Sequence, residues 1–161
     1  MNITKSNLDL DMVVYSAEKT TGEKRNNLVA SLIGGYAANV FENLLYGYAD
    51  KLCHGYSGGF WEIVGVTSGG QSIGFYFYPD IDEAVKVDCL GFQCDVETTA
   101  KAAGAAFTLM SLSQLSFFLH SKGESNAATA TADVYHELRG YIFTSGDFSE
   151  EERTAIYKIT D

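Results

Sequence analysis

The strongest constraint on the fold is a change of hydrophobic period in mid-chain. From Asn27 to Leu52 the apolar residues Phe41, Leu44, Leu45, Tyr48 and Leu52 keep a spacing of three and four, which builds one helical stripe. Beyond the glycine-rich run that begins at Gly55 the spacing falls to about two, the signature of strands. Gly34-Gly35 predicts a split of the first helical stretch in two. Cys53-His54-Gly55 predicts its end, because glycine readily enters the left-handed conformation that closes a helix. Four short strands are expected, over Phe60–Val66, Ile73–Tyr78, Ala84–Cys89 and Phe92–Val96, with Gly69-Gly70 and Gly91 in turns and Pro79 closing the second. In the third, Val85, Val87 and Cys89 alternate with Lys86 and Asp88, as on a sheet with one dry and one wet face.

A second helical half follows. Thr98–Leu119 is apolar, and Ala102, Ala103, Gly104, Ala105 and Ala106 allow another element to approach closely, which marks it as the central helix. It is nearly long enough to span a membrane, yet Lys101, Gln114 and several hydroxyls favour a buried helix, and no membrane span is expected. After a polar break at 122–126, a helix carrying Val134, Tyr135, Leu138, Tyr141 and Ile142 is predicted. The last helix opens with Ser149-Glu150-Glu151-Glu152, a capping box. Helices, a strand meander and helices again describe a single α+β domain: a short antiparallel sheet of about four strands flanked by N-terminal and C-terminal helices. We expect that domain over residues 28–161. Residues 1–27 read as a loose N-terminal arm: Thr20-Thr21-Gly22-Glu23-Lys24 is a polar loop, and only Met12, Val13, Val14 and Tyr15 look able to dock.

The chain has 21 Asp and Glu against 11 Lys and Arg, a net charge of −10, so direct binding to a nucleic-acid backbone is not expected. The arm is balanced, with Lys5, Lys19, Lys24 and Arg25 against Asp9, Asp11, Glu18 and Glu23. The negative charge therefore sits on the rest, in runs at Asp80, Asp82, Glu83, Asp88, Asp95 and Glu97 and at Asp147, Glu150, Glu151 and Glu152. Mimicry of DNA falls short on arithmetic. A domain of this size is about 40 Å wide and overlays roughly one duplex turn, which carries about 20 phosphates. The 21 carboxylates must cover every face, and 11 bases offset them.

Chemistry of other kinds finds little support. No pair among His54, His120, His136, Cys53, Cys89 and Cys94 stands at C-x₂-C or H-x₃-H spacing, so neither a structural metal nor a cofactor is expected. Cys89 and Cys94 read as a reduced pair on the apolar face of a hairpin. No nucleophile elbow and no phosphate-binding glycine loop is present. Glu62 shares a face with Phe60 and Val64 by alternation. It reads as a buried, hydrogen-bonded structural carboxylate, with catalysis as the competing reading. The N-terminal residues lack the apolar core of a secretory leader, which predicts a cytoplasmic, reduced protein.

The segment Leu52-Cys53-His54-Gly55-Tyr56-Ser57-Gly58-Gly59-Phe60-Trp61-Glu62 resembles the signature of the antirestriction family of ArdB and KlcA type, in which a helix ends, a Tyr-x-Gly-Gly-x-Trp turn follows and a strand begins. Gly74-Phe75-Tyr76-Phe77-Tyr78-Pro79 is similar to that family's aromatic second strand. Ala132-Asp133-Val134-Tyr135-His136-Glu137-Leu138-Arg139 resembles its C-terminal Asp-x-Tyr-His-x-Leu-Arg helix. The resemblance implies a small cytoplasmic bacterial protein of plasmids, phages or integrated elements. Such a protein protects incoming DNA from host type I restriction-modification machinery, directly or indirectly, and is not an enzyme.

Within the motif, Gly58 and Gly59 are expected to form the turn, with Phe60 and Trp61 on opposite sheet faces and Tyr56 and Glu62 beside them. Asp133, Tyr135, His136 and Arg139 are the candidate partner-binding residues. Asp133, His136, Glu137 and Gly140 fall on one helical face; Asp133 either caps a helix start, pairing with His136, or offers a partner an acidic spot. The competing function is a small hydrolase or ligand-binding domain using Glu62, His54 and His136, which a cavity joining those three would favour.

Overall fold

A computed structural model describes residues 13–90 and 95–161. The chain runs β1 (Tyr15–Lys19), α1 (Gly22–Ile33), α2 (Gly35–Leu52), β2 (Trp61–Ser68), β3 (Gln71–Pro79), β4 (Val85–Asp88), β5 (Asp95–Thr98), α3 (Ala100–Ser121), α4 (Ser125–Thr144) and α5 (Glu150–Thr160). This is an α+β domain with antiparallel sheets, as the change of period requires. The first helical stretch breaks at Gly34, whose φ of 92° only glycine adopts readily, and α1 and α2 meet at 105°.

The strands form two sheets and not one meander: β1-β2-β3 make an antiparallel sheet, and β4-β5 a separate ribbon. The free edge of β3 explains the division. The Thr108 hydroxyl of α3 accepts the Phe77 N–H at 3.1 Å and donates to the Gly104 carbonyl at 2.8 Å. An edge N–H that would otherwise seek a fourth strand is thus satisfied by a helix. Gly104 makes the approach possible, since a Cβ there would lie 2.2 Å from the Phe77 carbonyl oxygen and 2.4 Å from Tyr78 Cα.

The N-terminal arm also differs from expectation. Tyr15–Lys19 pairs antiparallel with β2 from Tyr15↔Ser68 to Lys19↔Val64, and the supposed loop at 20–24 already contains the start of α1. Thr20 is buried, and both its N–H and its hydroxyl donate to the Ile63 carbonyl at 2.9 Å. Residue 27 therefore lies inside a helix. Val13 and Val14 are exposed and only Tyr15 packs, edge-on against Tyr141; Met12 lies outside the described residues. So do Gly91, the first part of the strand expected over Phe92–Val96, and Cys94.

Both faces of the three-stranded sheet are covered. On one, Phe41 of α2 stands edge-on to Phe75 and Phe77, with ring centroids 5.2 and 5.3 Å apart. On the other, Gly74 lets α4 settle at Val134 and Leu138, and Tyr76 stacks on Tyr141. The central helix α3 is long and apolar enough to cross a membrane, but Phe107, Leu109, Leu112, Leu115 and Leu119 are buried within the domain. It packs on β3, α2, α4 and α5, and Tyr48 of α2 donates its hydroxyl to Gln114. The capping box forms as expected: the Ser149 hydroxyl accepts the Glu152 N–H at 3.1 Å, and the Glu152 carboxylate accepts the Ser149 N–H at 2.9 Å.

Candidate functional site

The loop between α2 and β2 holds the most distinctive residues. Gly55, Gly58 and Gly59 have φ of 77°, 92° and 113°, and a Cβ at any of them would meet nothing within 4 Å. Conformation, not crowding, requires glycine here. The chain then enters β2 with Trp61 buried at 3% exposure and Phe60 outside at 57%. The Trp61 indole N–H donates to the Tyr56 hydroxyl at 2.9 Å, and its ring meets Tyr46 and Tyr56 edge-on. Arg25 of α1 donates to the Trp61 carbonyl at 2.7 Å while its guanidinium lies 4.6 Å above the Phe60 ring. Burial pushes the Tyr46 hydroxyl pKa up, and the Glu42 carboxylate pushes it further.

On α4, Val134, Leu138, Tyr141 and Ile142 are buried and Asp133, His136, Glu137 and Arg139 are exposed. Asp133 does not cap a helix: α4 begins at Ser125, so this carboxylate stands in mid-helix. Among the described residues no hydrogen bond or ion pair joins it to His136. The His136 ring instead meets Tyr135 edge-on at 5.2 Å, and Arg139 lies over Phe143 at 4.9 Å. Tyr135 is half-buried and lines a cavity of about 380 Å³ with Tyr48, Leu90, Met110 and Phe117.

The residues of the competing hydrolase reading are dispersed. His54 lines a cavity of about 520 Å³ with Gly55, Tyr56, Ser57 and Gly58, which neither Glu62 nor His136 reaches. Glu62 is half-exposed and not buried as expected, because the pairing of β1 ends at Lys19↔Val64 and leaves Glu62 beyond it on that side of β2. It pairs in register with Tyr78. The Tyr78 hydroxyl first, then the Glu62 and Asp80 carboxylates, raise the Lys19 pKa above its ordinary value.

Two arrangements have no signal in residue spacing. The acidic runs near 80–97 and 147–152 meet: Glu97 of β5 and Glu150 and Glu151 of α5 are exposed and line one groove of about 440 Å³. His54, Asp88 and Asp95 also converge. The His54 N–H donates to the Lys86 carbonyl at 2.9 Å, Cys53 bridges to Val87, and His54 Nε2 lies 2.7 Å from Asp88 Oδ1. The register of the β4–β5 ribbon, which sets Asp88 opposite Asp95, brings the two carboxylates together.

A model of the antirestriction protein family matches residues 54–161. Antirestriction protein KlcA from Escherichia coli is 35% identical to this chain over 120 residues, which cover 74% of this chain and 76% of that protein. An uncharacterized protein from Escherichia coli strain K12, YafX, is 32% identical over 124 residues, 76% of this chain and 71% of that one. A solved structure from work on KlcA and ArdB covers 91% of this chain and 95% of its own, with a TM-score of 0.73 and 28% identity. Those two proteins are described as showing a novel fold and antirestriction activity against type I DNA restriction systems in vivo but not in vitro.

Proposed function

This chain belongs to the antirestriction protein family, and from that membership we propose that it relieves type I DNA restriction in the cell through contacts with a protein partner and without catalysing a reaction. The observation that carries the reading is the fold shared with the KlcA and ArdB work over 91% of the chain. The partner is the host type I restriction-modification machinery, reached directly or through another component. Activity of those relatives in vivo but not in vitro supports a route that needs something more from the cell. A net charge of −10 disfavours binding to DNA itself and favours a basic protein surface. The setting is the cytoplasm of a bacterium carrying a plasmid, phage or integrated element.

Asp133 is the first candidate for the contact surface, with Tyr135, His136 and Arg139 beside it. Asp133 is exposed and has no ion-pair partner among the described residues, so its charge is open to another molecule. The groove of Glu97, Glu150 and Glu151 is the second acidic feature a basic partner would meet. The test is the plating efficiency of unmodified phage on a type I restricting host. Expression of the chain raises it towards the value on a non-restricting host, and an unchanged value refutes the function. Asp133→Ala, an exposed substitution that moves stability by no more than about 0.5 kcal/mol, lowers the relief at equal protein abundance. Full relief by that variant removes Asp133 from the contact.

A further inference from the structure

We propose that His54, Asp88 and Asp95 form a binding site for one divalent transition-metal ion, a property separate from the antirestriction reading. Each residue offers one donor atom, and the three atoms lie within 4.8 Å of one another. They are drawn together by backbone and not by chance contact of long side chains. The His54 N–H to the Lys86 carbonyl and the bridge from Cys53 to Val87 fix the histidine against β4. The register of the ribbon then sets Asp88 directly opposite Asp95.

The charge pattern of the ribbon is a second reason. On the exposed face the pair Lys86↔Glu97 is complementary, as cross-strand neighbours should be, whereas Asp88↔Asp95 sets like charges opposite each other, which is destabilising. His54 stands beside them, 2.7 Å from Asp88. A divalent cation bound between them offsets both carboxylates at once. One imidazole with two carboxylates suits zinc, manganese, iron(II), cobalt or nickel, whereas calcium and magnesium prefer oxygen alone.

Ligand atoms bind such ions at about 2.0–2.2 Å, hence about 3.3–3.6 Å from one another in a tetrahedral set. Exposed side chains reach that spacing by rotation, the His54–Asp88 contact opening as the metal replaces the proton between them. Three protein ligands leave a coordination position for water or for a donor from another molecule. The site joins the loop of Gly55, Gly58 and Gly59 to the β4–β5 ribbon, and its occupation fastens one to the other.

The experiment is titration of the untagged full chain with ZnCl₂ by calorimetry and with CoCl₂ by visible absorption. Alongside are His54→Gln and Asp95→Asn, whose folding is checked by thermal melting. One saturable site with micromolar affinity is expected, weakened at least about tenfold in each variant. Absence of saturation by about 1 mM of either ion, or an affinity in either variant equal to that of the unaltered chain, overturns the assignment. Should either variant fail to fold, Mn²⁺ broadening of amide resonances in the unaltered chain decides. Broadening centred on His54, Asp88 and Asp95 supports the site, and broadening centred elsewhere overturns it.

Discussion

Replacing Gly104 with alanine tests how closely the central helix covers the open edge of the sheet. The added methyl would stand 2.2 Å from the Phe77 carbonyl oxygen and 2.4 Å from Tyr78 Cα. Both are backbone atoms, so no rotamer relieves the contact. Restoring ordinary van der Waals separation moves α3 and β3 apart by about 1 Å. That movement stretches the bond from the Phe77 N–H to Thr108, 3.1 Å long and buried. An unsatisfied buried N–H costs about 1–3 kcal/mol and overpacking costs about as much again, while alanine returns about 1 kcal/mol through helix propensity. The net loss is about 3 kcal/mol, or roughly 6–12 °C in melting temperature for a domain of this size.

Gly47 supplies the internal control. It lies in the interior of α2, and a Cβ there meets nothing within 4 Å. Gly47→Ala therefore keeps only the propensity term and raises stability by about 0.5–1 kcal/mol. Thermal unfolding followed by far-ultraviolet circular dichroism compares the two variants with the parent. A Gly104→Ala protein that melts at or above the parent temperature refutes the close contact, and with it the explanation of why the sheet stops at three strands.

Two further outcomes follow from the same contacts. Ser149→Ala removes the cap of α5 and lowers stability by about 1 kcal/mol in urea unfolding. Glu152→Ala lowers it more, because that carboxylate also accepts the Thr99 hydroxyl at 2.6 Å and so ties α5 to the N-cap of α3; equal losses count against the tie. Burial raises the pKa of the Tyr76 and Tyr141 hydroxyls above the ordinary tyrosine value of about 10. Their contribution to stability is full below that pH and lost above it, by up to about 1.4 kcal/mol per pH unit for each group. Tyrosinate absorbance should therefore rise together with loss of helix above pH 10, and ionisation of every tyrosine in a still-folded chain refutes this.

Elements whose residues carry their own periodicity or caps were readable from sequence: the break at Gly34, the box at Ser149 and Glu152, and the buried alanine run around Gly104. Those that depend on a distant partner were not. Tyr15–Lys19 is a strand because β2 offers an edge, and its own half-buried and exposed side chains show only a weak alternation. The split into two sheets depends on Thr108, a hydroxyl in an apolar helix with nothing local to mark it as an edge partner. Asp133 lost its capping role because α4 extends back to Ser125, through Ala127, Ala128 and Ala130, residues that favour helix but show no stripe. His54, Asp88 and Asp95 are gathered by register alone.

The loop motif and the proposed contact surface are therefore different things. Gly58 and Gly59 are needed for their backbone angles, Trp61 fills the core, Tyr56 satisfies its indole N–H, and Phe60 carries Arg25. Each of these residues has a part in the local fold, so a chain can keep the motif for folding alone. The exposed carboxylates serve the interior less. Asp133 could be alanine without loss to α4, and Glu97, Glu150 and Glu151 stand on a groove with Lys158 as its only basic lining residue. Unlike Glu152, they do not hold the cap of α5. Glu97 still faces Lys86 across the ribbon and Glu150 and Glu151 stand in the first turn of α5, but the groove concentrates more negative charge than these local roles need, and under the proposed function a basic protein surface matches it in sign.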